Sequence, residues 1–186
     1  MTLTVITPPA EPAVPLADAK TYLRIGHSGE DALVGDLVAA ATARLEAASG
    51  LSLVSRILSR QLHAWPATLA GKGFILRPKP VSRLIRVDLV DETGAVEDIS
   101  SRFQIHAGRL VVRPWSVAPA ICFGGHANIV FDTGYGTAEQ LPDDLQLAVL
   151  RLTAEAYRTG RTELAGETGL PTDVAAIVTA HRELRV

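Results

Sequence analysis

Cysteine occurs once in this chain, at Cys122. No intrachain disulfide is open to it, nor a cysteine-based metal site within one chain, and a reducing cytoplasm fits that usage. Lysine is nearly as scarce: Lys20, Lys72 and Lys79 stand against fifteen arginines. The net charge of −2 gives no global pull toward nucleic acid or a membrane surface. Long apolar runs are missing too. Nothing approaches the ~20 residues that span a bilayer, so no membrane is expected among the partners. The first fifteen residues have neither a basic start nor a long apolar stretch, which reads against a signal peptide. Gly124-Gly125 and Gly134-Tyr135-Gly136 match neither the P-loop nor the dinucleotide fingerprint. No cofactor is therefore expected. The five histidines (His27, His63, His106, His126, His181) include no i, i+4 pair, and no metal site is expected either.

What the chain does have is an ordered change of periodicity. Residues 1–15 carry Pro8, Pro9, Pro12 and Pro15 and read as an extended arm, because proline fixes φ and removes a donor. A short helix is expected over 16–24. After His27-Ser28-Gly29, where Ser28 offers an N-cap, a second helix is expected over 30–49, with Gly50 as its stop. Its core stripe is Leu33, Val34, Leu37, Val38, Ala41, Leu45 and Ala48. Ala40, Ala43 and Ala47 form another face, small enough to let a neighbouring helix approach closely.

From about residue 53 to 132 the period shifts from 3.6 toward 2. Ile85, Val87 and Leu89 alternate with Arg86 and Asp88; Phe103 and Ile105 alternate with Gln104 and His106; Leu110 and Val112 lie between Arg109 and Arg113. Turn residues at 91–94 and 107–108 separate these runs, which read as short antiparallel strands with one buried face each. Helical signals return at Leu141-Pro142-Asp143-Asp144, with proline and acids in the first turn. A helix over 142–158 carries one stripe of Leu145, Ala148, Val149, Leu152 and Ala156, and a second of Leu147, Leu150, Ala154 and Tyr157. Such double apolarity implies burial on most sides. A final helix is expected over 172–183.

The fold class is thus α+β. Residues 16–52 and 141–186 form a helical bundle of two N-terminal and two C-terminal helices, and 53–140 an inserted antiparallel β-rich subdomain. Residues 1–15 are the arm.

Three motifs invite chemistry. Asp132-Thr133-Gly134 looks like the loop of an aspartic protease, in which two such aspartates share a proton. There is one copy, and helix rather than strand is expected after it. Cys122 with His126 permits a nucleophile pair, against the commoner role of cysteine as a small apolar residue. Arg77, Arg83, Arg86, Arg102, Arg109 and Arg113 crowd the strand region and suit either DNA phosphates or a solvated sheet face. No residue is assigned as catalytic. A small hydrolase using Asp132 or Cys122/His126, and an oligomeric binding module, remain the alternatives.

The order of parts carries more. Pro15-Leu16-Ala17-Asp18-Ala19-Lys20-Thr21-Tyr22-Leu23-Arg24-Ile25 is followed by Asp31-Ala32-Leu33-Val34, an alanine-rich helix and Ser49-Gly50. Arg77-Pro78-Lys79-Pro80-Val81-Ser82 then precedes the strands. Phe131-Asp132-Thr133-Gly134-Tyr135-Gly136 and Leu141-Pro142-Asp143-Asp144-Leu145 follow them. In this order and spacing the chain resembles the head–tail connector (adaptor) family of tailed phages and of gene transfer agents or prophages. The proline arm before residue 15 and the segment 160–169 depart from the pattern.

The resemblance implies a structural ring subunit, not an enzyme. It implies twelve copies stacked on a portal protein, a neck or tail-completion protein on the other side, and DNA passing through the lumen without sequence-specific binding. The location implied is the head–tail junction of a virion or phage-like particle assembled in the bacterial cytoplasm. It places the portal contact in the C-terminal segment: Val174, Ile177, Val178, His181, Arg182, Leu184, Arg185 and Val186. Ring closure needs two unlike surfaces on each subunit. Ala40, Ala43 and Ala47 on one helix, with Leu147, Leu150, Ala154 and Tyr157 on the other, are the candidates for that interface.

Overall fold

A computed structural model describes residues 2–159 and 170–181. The chain divides into a β unit, Met1–Pro9 with Ser55–Gly134, and a helical unit, Ala10–Val54 with Tyr135–Val186. Each has its own core, and the fold is α+β.

The helical unit holds α1 (Leu16–Leu23), α2 (Asp31–Ser49), α3 (Asp143–Thr159) and α4 (Thr172–His181). Pro15 immediately precedes α1, and Arg24 closes it in the left-handed region at φ 60°. Gly50 closes α2 the same way at φ 72°, where glycine carries no Cβ penalty. The expected Ser28 cap is not made. Glu30 occupies the N-cap position without a side-chain hydrogen bond, and Ser28 contributes only its carbonyl, to the Asp31 N–H. The Asp31 carboxylate instead pairs with Lys20 of α1, placing its charge at the positive end of α2.

Before α3, Thr137 and Gln140 form a reciprocal capping box. Gly136 sits at φ 119°, a backbone conformation that side-chain-bearing residues rarely adopt, and a Cβ there would also displace the Gln140 side chain from the capping box. The core joins Val34, Val38 and Leu45 of α2 to Leu145, Val149 and Leu152 of α3 and Val174 and Val178 of α4. Two buried hydroxyls are satisfied within their own helices, Ser49 by Leu45 O and Thr153 by Val149 O.

The β unit contains β1 (Thr2–Thr7), β2 (Arg56–Leu62), β3 (Phe74–Ile75), β4 (Val81–Val90), β5 (Val96–Asp98), β6 (Phe103–His106), β7 (Arg109–Val112) and β8 (His126–Thr133). A five-stranded antiparallel sheet runs β1-β2-β8-β4-β5, and a three-stranded one runs β3-β7-β6. Leu58, Val87, Ile129 and Phe131 of the first share a core with Phe103 and Leu110 of the second.

Two expectations change in detail. The arm is not uniform: Thr2–Thr7 pairs with β2 as an edge strand, while Ala13 and Val14 are buried among the helices. The alternation of Ile85, Val87 and Leu89 also breaks. A register shift between Leu84 and Arg86 turns Leu84 inward and leaves Ile85 39% exposed. That is the local effect of a β-bulge, which re-aims every side chain beyond it.

Candidate assembly surfaces

The protease-like tripeptide ends β8 and does structural work. Thr133 is fully buried, and its hydroxyl lies 2.9 Å from Pro78 O and 2.8 Å from Pro80 O. It ties β8 to the proline-bounded entry of β4. Gly134 N–H donates to Pro80 O. Asp132 is on the outer face of the sheet, 3.5 Å from Arg83. The Cys122/His126 pair is not assembled: Cys122 is exposed, and the His126 ring lies at a tilt against His63, centroids 6.0 Å apart. Among the described residues no His/Cys/Asp/Glu group is arranged to hold a metal ion.

The strand arginines are largely engaged by the protein itself. Arg83 faces Asp132, and Arg86 binds Asp88 at 2.8 Å. Arg102 and Arg113 donate to Val117 O and Phe103 O. At the β4–β5 turn, the Asp91 carboxyl is held below the usual aspartate range. The Thr93 hydroxyl bond is the largest cause, and the Ala95 amide adds to it. The Ser100 hydroxyl does the same for Asp98.

The residues expected at the portal fall into two groups. Val174 and Val178 are buried in the helical core, with Ile177 packed against it. His181 Nε2 is 2.6 Å from Asp144 Oδ2 of α3, and Arg151 binds Asp173 at 2.8 Å. The apolar face of α4 is therefore spent on its own bundle, and docking through Val174, Ile177 and Val178 would expose that core. In the isolated chain those three serve the bundle's own core, and a portal contact through them is a matter for the proposal below. Arg182, Leu184, Arg185 and Val186 lie outside the described residues.

The residues expected between subunits also divide. Ala40, Ala43 and Ala47 are exposed along α2. Leu147, Leu150, Ala154 and Tyr157 are half-buried, with Leu150 against the core. Tyr157 donates its hydroxyl to Glu30 at 2.7 Å, which raises the phenol's pKa. Much of the second stripe of α3 is used within the bundle.

Two uncovered apolar surfaces were not foreseen. The 113–125 connection carries Trp115 at 104% exposure, Phe123 at 98% and Val117 at 75%. The signal was present as two large aromatics inside a Pro- and Gly-bounded segment. The second is β1, which exposes Leu3, Val5 and Ile6. Its β-branched, uncharged sequence was masked by the prolines that follow.

No protein-family model matches the chain, and no curated protein matches it. Solved structures do. One is a chain in the virion of a native gene transfer agent particle, with 28% identity and a TM-score of 0.84, covering 100% of this chain and 97% of that one. A second is in the neck of an empty gene transfer agent particle computed with C6 symmetry, at 28% identity and 0.83 with the same coverage. A third is in the neck of a native particle computed with C12 symmetry, at 27% identity and 0.82, also covering 100% and 97%. These whole-chain similarities are consistent with the head–tail connector resemblance. The matched chains are structural components of particles and their necks, not enzymes. The buried, structural role of Thr133 agrees with that likeness.

Proposed function

We propose that this chain is a head–tail connector subunit that forms a ring of twelve copies between the portal vertex of a gene-transfer-agent-like particle and its neck or tail-completion protein, with DNA passing through the lumen. The observation that carries this reading is the whole-chain similarity to a chain in a gene transfer agent neck computed with C12 symmetry. The engaged arginines support passage without grip: acids in the same sheet offset Arg83 and Arg86, lowering the number of phosphates the surface neutralises.

The exposed alanine face of α2 is one contact between subunits in this proposal. Because α4 is committed to its own core, the portal contact is assigned to the C-terminal residues Arg182, Leu184, Arg185 and Val186. Assembly takes place in the bacterial cytoplasm. The test is to mix the purified protein with the portal and image the product by electron microscopy. Stacked twelvefold rings are expected. Monomers that leave the portal bare, or a ring whose lumen is strongly positive, would overturn the proposal.

A further inference from the structure

The β unit carries two unlike apolar surfaces that its own core does not cover. The first is the 113–125 connection, and it is a built structure. Trp115 sits in the left-handed region at φ 64°, a costly conformation for a large residue, within a turn closed by Ser116 N–H to Arg113 O. Trp65 Nε1 donates to Pro119 O at 2.7 Å, and Arg102 holds Val117 O. Gly125 lies so close to the β4–β5 turn that a Cβ would be 2.6 Å from Val90 O. The scaffold is fixed while Trp115 and Phe123 stand in water. A loop of this length is uncommon without a function, and rigid aromatics on a fixed scaffold are how interface anchors look.

The second surface is β1. Leu3 and Val5 pair with Arg60 and Leu58, so they point to the side of the sheet that holds the core. Leu58 is 2% exposed, whereas its neighbour Val5 is 54% exposed and Leu3 44%. The core face continues onto β1, but its cover stops. β1 is also a sheet edge with no charge or proline, the kind that pairs or packs with another chain. It lies at the opposite edge of the five-stranded sheet from the β4–β5 turn that anchors the loop.

We infer that these surfaces meet between two copies of this chain: the Trp115–Phe123 loop of one subunit covers the Leu3/Val5 face of the next. The inference rests on the ring reading above. A closed ring needs one surface to meet a different one on the neighbour, and the β unit supplies such a pair. The area is adequate: two fully exposed aromatics offer on the order of 400 Å², about half of the ~800 Å² that one side of a standard interface contributes.

The native Cys122, beside Phe123, makes the test direct. Leu3→Cys and Val5→Cys variants, both at exposed positions, are built into particles, which are purified and treated with a mild copper oxidant. A non-reducing gel should show a ladder of dimers, trimers and higher multimers, lost when Cys122→Ser is added. A Trp115→Ala/Phe123→Ala variant should enter particles at least tenfold less, with an unchanged melting temperature. Particles that contain the protein but give no ladder overturn this contact alone. So do dimers only, or a crosslink from Cys122 to another particle protein, or normal incorporation of the double alanine variant. Absence of the protein from particles overturns the neck reading and this inference together.

Discussion

Val174→Ala separates two accounts of the C-terminal helix. If α4 were a docking helix, the change would weaken portal binding and leave the fold alone. The structure places Val174 at 0% exposure in the helical core, so the change must act on stability. Removing two buried carbons forfeits about 1.6 kcal/mol at ~0.8 kcal/mol for each. The cavity left behind adds on the order of 1 kcal/mol, for a total of about 2–3 kcal/mol. For a chain of 186 residues, each kcal/mol lowers the melting temperature by roughly 2–4 °C, so a drop of roughly 5–10 °C is expected. The assay is paired: thermal unfolding of the isolated protein, and portal titration at a temperature well below the new midpoint. Affinity should then be within about threefold of the wild type. An unchanged midpoint with lost portal binding would refute the reasoning.

Four further outcomes follow from the β unit. Thr133→Val should cost about 1–3 kcal/mol in chemical denaturation, because it strips a buried hydroxyl from the Pro78 and Pro80 carbonyls. Asp132→Asn, half-exposed beside Arg83, should change stability by less than ~0.5 kcal/mol and leave particle assembly intact; the reverse order would contradict the structural role of the tripeptide. Asp91 and Asp98 have folded pKa values below their unfolded ones. Their contribution is present above the unfolded pKa and is lost as pH falls through the folded one. The Thr93 and Ser100 amide resonances should therefore hold through mildly acidic pH and shift only below the ordinary aspartate range; a transition at or above that range would be wrong for this geometry. DNA binding should show a log–log salt slope shallower than about −2, where six free arginines would give about −5; the steeper slope would show that the ion pairs open on DNA.

Helices were legible because each follows from one local rule. The α2 and α3 stripes at 3.6 spacing became the buried residues Val34, Leu37, Val38, Leu45, Leu145, Val149 and Leu152, and Gly50 stopped α2 as glycine does. Strands were legible as a class but not in register. The bulge at Leu84–Arg86 inverts which of Leu84 and Ile85 is buried, and nothing in a period-2 pattern announces an inserted residue. β1 was missed because its partner β2 begins forty-nine positions later, at Arg56, and a non-local ladder leaves little local trace. Thr133 was visible only as part of a tripeptide; its two carbonyl partners, more than fifty residues upstream, gave it its role.

The surfaces shifted for a related reason. The doubly apolar α3 implied surplus hydrophobic area on the helices, and therefore a helical contact between subunits. In the fold that surplus is largely consumed. Leu150 packs against the core, Tyr157 binds Glu30, and α4 closes over the bundle with Val174 and Val178. What stays exposed on α2 is alanine, which brings little area per residue. The large exposed side chains are instead in the β unit: Trp115, Phe123 and Val117 on one loop, Leu3, Val5 and Ile6 on one edge strand. Apolar area removed from water drives association, and rigid aromatics lose little entropy on binding. The energetic centre of ring closure is thus expected in the β unit, with the alanine face of α2 allowing close approach rather than supplying the drive.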